Sequence, residues 1–140
     1  MIWTLRIECV RGRYLEDQWV RVYEVDSQSS LLDLHDLIQT AADFDQDHMF
    51  EFFAGRNPRH RGVTFGDDEE SEDDFGNCEE LTLEQVFPLP KNHKLYYHFD
   101  FGDDWYFEIR KGRAQPKPPE PRVKYPRKIE AVGPKLRQYG

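Results

Sequence analysis

The sequence predicts an α+β fold: a β-grasp, ubiquitin-like core of ββαβ order with an added C-terminal antiparallel hairpin. Three observations carry this. Two period-two runs open the chain and are joined by a short link. A segment with helical spacing and a good N-cap follows. Two aromatic, alternating runs then flank the Gly/Asp cluster Asp100-Phe101-Gly102-Asp103-Asp104.

In the first strand Trp3, Leu5, Ile7 and Cys9 share one face, and Thr4, Arg6 and Glu8 share the other. Arg11-Gly12-Arg13 begins a turn. Trp19 to Val25 is the second strand, with Val20 and Val22 on one face and Trp19, Arg21 and Tyr23 on the other. A helix starts at Ser30, where Ser30-Leu31-Leu32-Asp33 forms a capping box with Asp in the acidic position. Its buried stripe is Leu31, Leu34, Leu37, Ile38 and Ala41, and it ends near Ala42. Met49 to Phe53 is a third strand, closed by Gly55-Arg56-Asn57-Pro58, and Thr64 and Phe65 add a short one. Leu81 to Phe87 fits a short helix stopped by Pro88 and Pro90. Leu95 to about Lys111 is the aromatic hairpin, whose tip the glycine suits by tolerating positive φ.

The chain of 140 residues divides into one α+β domain, 1–113, and a Pro-rich basic extension, 114–140. Seven acids in the eight positions 67–74 repel one another, so 67–80 is expected to be a mobile loop. The net charge of −8 is uneven. Residues 1–109 carry 25 acidic and 9 basic side chains, and 110–140 carry 2 and 10. The acidic body argues against nonspecific nucleic-acid binding by that body. The basic tail 110–140 can reach nucleic acid or lie back on its own domain, and tethering favours the second. No run approaches the roughly 20 apolar residues that span a bilayer. With no signal-peptide pattern and two isolated cysteines, Cys9 and Cys78, a cytoplasmic protein is expected, with Cys9 a buried, inert thiol.

The chemistry-bearing residues form no recognised catalytic motif. Asp43-Phe44-Asp45-Gln46-Asp47 begins like a calcium loop, but His48 stands where the loop needs glycine and Ala54 where it needs glutamate. Asp100-Phe101-Gly102 copies the kinase metal tripeptide without any other kinase element. His35, His48, His60, His93 and His98 lack zinc spacing. Asp100, Asp103 and Asp104 could take a hard cation, though turn chemistry explains them better. In an extended strand Asp100 would point with His98 and Tyr96, and Phe101 the opposite way.

Several of these residues also carry a family resemblance. Trp19 and Arg21 lie in the second strand, Leu34, His35, Ile38 and Gln39 in the helix, and Phe44, His48 and Phe52 lead into and through the third strand. Tyr97, Phe99, Asp100, Phe101, Gly102, Asp103 and Trp105 form the most specific motif, with Tyr125-Pro126 near the C-terminus. In these the chain resembles the plasmid pRiA4b ORF-3-like family, whose members include passenger proteins of transposable elements. It departs at Phe107, where the family has histidine, and at Gly133-Pro134-Lys135, where a proline-acid and double-glycine segment is usual. The resemblance implies a fold more than a reaction.

The function expected is a non-catalytic interaction or accessory module of mobile-element type, with a protein or peptide partner. Its binding residues would be Trp19, Arg21, His35, His48, Tyr97, Asp100, Asp103 and Trp105, with Tyr23 adding to the aromatic face. No cofactor is expected. The alternative is a metal-dependent enzyme or nucleic-acid accessory factor, with a divalent cation on His48, His98 and Asp100 and phosphates on the basic tail.

Overall fold

Each aromatic run of the sequence becomes a strand, and the strands all join one sheet. In the computed structural model, which describes residues 1–45, 49–65 and 78–138, seven strands and two short helices follow one another. They are β1 (Ile2–Arg11), β2 (Trp19–Asp26), α1 (Leu31–Ala42), β3 (Phe50–Asn57), β4 (His60–Phe65), α2 (Leu83–Val86), β5 (Lys94–Phe99), β6 (Trp105–Lys111) and β7 (Arg127–Val132). The sheet order is β4-β3-β5-β6-β1-β2-β7, and each of the six neighbouring pairs is antiparallel.

This corrects the expected β-grasp core. The C-terminal hairpin is not an addition at the edge of a ββαβ unit. β5 and β6 fill the centre of the sheet, between β3 and β1, so β3 never meets the first hairpin. The reason lies in composition: both strands bury nearly every residue on both faces, which suits a central strand and not an edge. The molecule is a mainly antiparallel β sheet with one real helix across it.

Strand register fixes which residues share a face. Trp3, Leu5, Ile7 and Cys9 of β1 align with Val25, Tyr23, Arg21 and Trp19 of β2. Ile7 and Cys9 align across the other side with Ile109 and Phe107 of β6. Leu95, Tyr97 and Phe99 of β5 continue the row to Ala54, Phe52 and Phe50 of β3. Helix α1 lies over this face and buries Leu31, Leu34, Leu37 and Ile38 against it. The capping box is formed as the sequence predicts: Ser30 Oγ accepts from Asp33 N at 3.1 Å, and Asp33 Oδ2 accepts from Ser30 N at 2.9 Å. The helix ends at Ala42, with Asp43 in the left-handed conformation.

Helix α2 is shorter than expected, but it carries a capping box of its own, Thr82 with Gln85. The two helix starts are bridged: Leu31 N donates to Leu81 O and Leu83 N to Ser29 O, both at 2.9 Å. β3 begins and ends later than the sequence pattern, and β4 is a full six-residue strand. The predicted mobile loop falls mostly on residues 66–77, outside the described residues.

The segment beyond residue 113 supplies β7, paired with β2, and then buries Leu136 and Gln138, whose Oε1 accepts from Asp45 N at 2.7 Å. Ile2 and Lys117 exchange backbone hydrogen bonds at 2.6 and 3.2 Å. The buried Glu24 carboxylate receives Lys117 Nζ at 2.8 Å and Arg127 Nε at 2.7 Å. Hydrogen bonds from Lys117 and Arg127 hold its carboxyl below the ordinary range.

Candidate functional site

β5 turns its alternate residues to two different environments, and the polar groups of the molecule gather around them. On the helix side, Tyr97 is fully buried. Its hydroxyl accepts from Gln39 Nε2 at 2.9 Å and lies 2.5 Å from His35 Nδ1. Gln39 follows His35 by four positions, one helical turn, which brings both to one oxygen. His35 also stacks on Phe50 at 3.8 Å. Burial lowers the His35 imidazole to about 4 and raises the Tyr97 phenol well above its usual range. The ring is therefore neutral at pH 7, and the phenol proton can serve its Nδ1. Gln39 Oε1 is buried with no hydrogen-bond partner among the described residues.

On the opposite face His98 is 5% exposed. Its Nδ1 lies 3.0 Å from Glu51 Oε1 and its Nε2 2.9 Å from Asp104 Oδ1. Phe101 and Tyr106 sandwich the ring at 4.6 and 4.2 Å. A ring with a proton on each nitrogen satisfies both carboxylates; a neutral ring satisfies one. Glu51 also meets Arg61, whose guanidinium lies 4.4 Å over the Phe53 ring. Burial pushes the Glu51 carboxyl up, but the His98 hydrogen bond and the Arg61 charge outweigh it and hold it below its usual value. Beneath this layer of charge sit the buried rings of Phe53, Tyr96 and Tyr106.

The β5–β6 tip differs from the expected tight turn. Asp100 and Asp104, and not Gly102, take the left-handed conformation, with φ of 57° and 52°. Asp100 Oδ1 accepts from Gly102 N at 3.1 Å and Asp103 N at 3.3 Å, so it acts as a turn-maker. The left-handed step breaks strand alternation, which is why Phe101 lands on the His98 face. Asp103 holds the tip to the first hairpin: Arg13 N donates to its carbonyl at 3.1 Å and Arg13 Nη1 reaches its carboxylate at 3.3 Å.

The remaining expected binding residues are dispersed. Trp19, Tyr97 and Trp105 are buried in the helix-side core, and Tyr23 is 8% exposed there. Gly12 packs flat on Trp105; a Cβ at that position would lie 2.1 Å from the indole. Arg21 stacks on Trp19 at 4.6 Å and donates to Val132 O at 2.7 Å and Gly133 O at 3.2 Å, so it fastens β7. His48 lies outside the described residues. Of its expected companions, His98 meets Asp104 rather than Asp100. Among the described residues no group of three His, Cys, Asp or Glu is placed to hold a metal ion. Cys9 is buried, which pushes its thiol up to about 12 and leaves it unreactive.

A groove lies elsewhere among the described residues, where β5 begins and β6 ends. Its volume is about 730 Å³. Trp3, Phe87, Pro88, Leu89 and Ile109 make its apolar wall; Lys94, Arg110 and Lys111 make its rim. Trp3 and Phe87 meet edge-on at 6.1 Å, and Lys111 Nζ lies 4.2 Å over the Trp3 ring. Glu84 and His93 also line it. Glu84 accepts from Ser27 Oγ at 2.6 Å, and His93 Nδ1 lies 2.8 Å from Lys91 O. Sequence reasoning missed this groove because its wall comes from the first residues, the α2–β5 segment and the end of β6, which no local pattern links.

The model of the plasmid pRiA4b ORF-3-like protein family matches residues 8–135. The chain belongs to that family. A solved structure from Methanosarcina mazei Go1, the protein of unknown function MM3350, is similar over 93% of this chain and 68% of its own, with 25% identity and a TM-score of 0.70. No curated protein matches. Among the described residues no helix is long and apolar enough to cross a membrane.

Proposed function

We propose that this member of the family is a non-catalytic protein-interaction module, an accessory protein of the plasmid or mobile-element kind that the family name describes. The observation that carries this reading is the groove at the end of the sheet. It joins an apolar, aromatic wall to a cationic rim, the combination that recognises a peptide segment. The named lining has no hydroxyl or thiol nucleophile. Among the described residues, the polar groups that could have formed a reactive centre serve packing instead. His35 is committed to Tyr97, His98 to Glu51 and Asp104, and Asp100 to its turn.

A random-peptide display selection against the full chain tests the reading. The expected result is enrichment of a peptide class whose binding is lost in Leu89→Asp, a half-buried groove position. The reading fails if no class is enriched, or if added Mg²⁺, Mn²⁺ or Zn²⁺ binds stoichiometrically and elicits hydrolysis of nucleic acid or phosphoesters.

A further inference from the structure

The charges around the groove define what it can hold. Residues 1–109 carry 25 acids against 9 bases, so most of the body repels an acidic ligand. The groove rim is a local reversal of that field, with Lys94, Arg110 and Lys111 standing together at the β5 and β6 ends. Two of the three already face an acid: Lys94 Nζ lies 3.7 Å from Glu108 Oε2, and Arg110 also reaches Glu108. Lys111 has no carboxylate among the described residues and rests on the face of Trp3. Its ammonium is thus held beside an apolar wall. Glu84 is the one acid among the described residues of the lining, and both its oxygens are engaged, one by Ser27 Oγ at 2.6 Å and the other by Gln28 Nε2.

We propose that this groove binds an acidic peptide segment bearing an aromatic side chain, a reading that rests on the interaction role proposed above. The aromatic ring enters between Phe87, Leu89 and Ile109, and flanking carboxylates of the peptide meet Lys111, Lys94 and Arg110. Apolar burial supplies affinity, and the rim sets sign and orientation.

The test uses the full chain and a fluorescein-labelled peptide with the core Asp-Glu-Phe-Asp-Glu. Anisotropy measures affinity, and amide and indole shifts in NMR locate the site. Binding is expected with shifts at the Trp3 indole and at residues 84–94 and 109–111. It should weaken about tenfold in Lys111→Glu, and also when the peptide Phe becomes Ala or when salt is raised from low to high. Leu89→Asp, on the wall, gives a second and independent loss; Lys128→Glu, on the exposed β7, changes nothing. The proposal is overturned by no binding at millimolar peptide, by equal binding of a Lys-substituted peptide, or by shifts elsewhere. Preferential groove binding of a single-stranded DNA oligomer overturns it as well. A display selection that enriches neutral or basic peptides at the groove leaves the interaction role standing and removes only this assignment.

Discussion

Tyr97 and His98 are neighbours in β5 and face opposite sides of one sheet, yet their surroundings obey different rules. Tyr97 sits under α1 in an aromatic core, and its partners, His35 and Gln39, are neutral. His98 sits on the face without a helix, and its partners, Glu51 and Asp104, are carboxylates. Both residues are buried. What covers them differs: a helix on one side, a layer of ion pairs and stacked rings on the other. An antiparallel sheet with one helix-covered face can leave the other to water, but here the second face is covered. The cover is Arg61 on Phe53, His98 between Phe101 and Tyr106, and Arg127 and Lys117 on Glu24. The helix side is thus a packed interior, where shape decides. The other side is a skin of charge over rings, where pairing decides.

Substitutions sensitive to shape should therefore cost most on the helix side. Gly12→Ala puts a methyl group into the Trp105 indole, which is fully buried and cannot move aside. A loss of about 3 kcal/mol is expected, read by urea unfolding at neutral pH. A loss below a few tenths would mean that the β1–β2 turn shifts freely and that Trp105 is not wedged. Next comes Tyr97→Phe, which keeps the ring and strands the His35 and Gln39 groups that met its hydroxyl. It should cost about 2 kcal/mol. Tyr96→Phe, one residue back on the other face, should lie near zero; equal losses would erase the contrast between the faces.

How much of this was legible in the sequence follows the same division. The capping box at Ser30, the α1 stripe and the strand faces of β1 were readable because they are local patterns. The family was readable from the Tyr97–Trp105 motif, and the family model matches residues 8–135. The sheet order was not. Whether a hairpin lies at an edge or in the centre is decided by which strands bury both faces, and β5 and β6 reveal this only together with β1 and β3. The site residues show the same limit. Trp19, Tyr97 and Trp105 look like a binding face in a list of aromatics, and register turns all three under α1. Glu51 and Gly12 carry no signal of their own, since each matters through a partner far along the chain, His98 and Trp105. The left-handed Asp100 likewise escaped a reading that gave positive φ to Gly102, and with it the placement of Phe101.

The helix-side histidine also gives the fold a response to pH. The folded His35 ring gains its proton only near pH 4, whereas an unfolded histidine does so near its ordinary value of 6.5. Between these values the unfolded chain binds more protons, so stability falls as pH drops through the window and is unaffected above it. The Glu51 and Glu24 carboxyls, held low in the fold, add a loss that begins only below the unfolded carboxylate value. His35→Leu should flatten the upper part of that profile whatever it does to stability at pH 7. A profile unchanged between pH 6.5 and 5 in this variant would mean that the ring is not buried in a neutral state.

A smaller loss than that of Tyr97→Phe is expected where carboxylates pair on the charged face. Asp104→Asn keeps a residue that tolerates the left-handed conformation required there, with φ of 52°, and removes only the carboxylate beside His98. The position is half-buried, so the loss should be about 1 kcal/mol and should shrink in high salt. Asp104→Ala adds the cost of the backbone conformation and should lose more. The difference between the two variants measures the turn, and the salt-dependent part of the first measures the pair. If Asp104→Asn costs as much as Tyr97→Phe and salt does not change it, the outer face is held by shape as the inner one is, and the pairing account of that face fails.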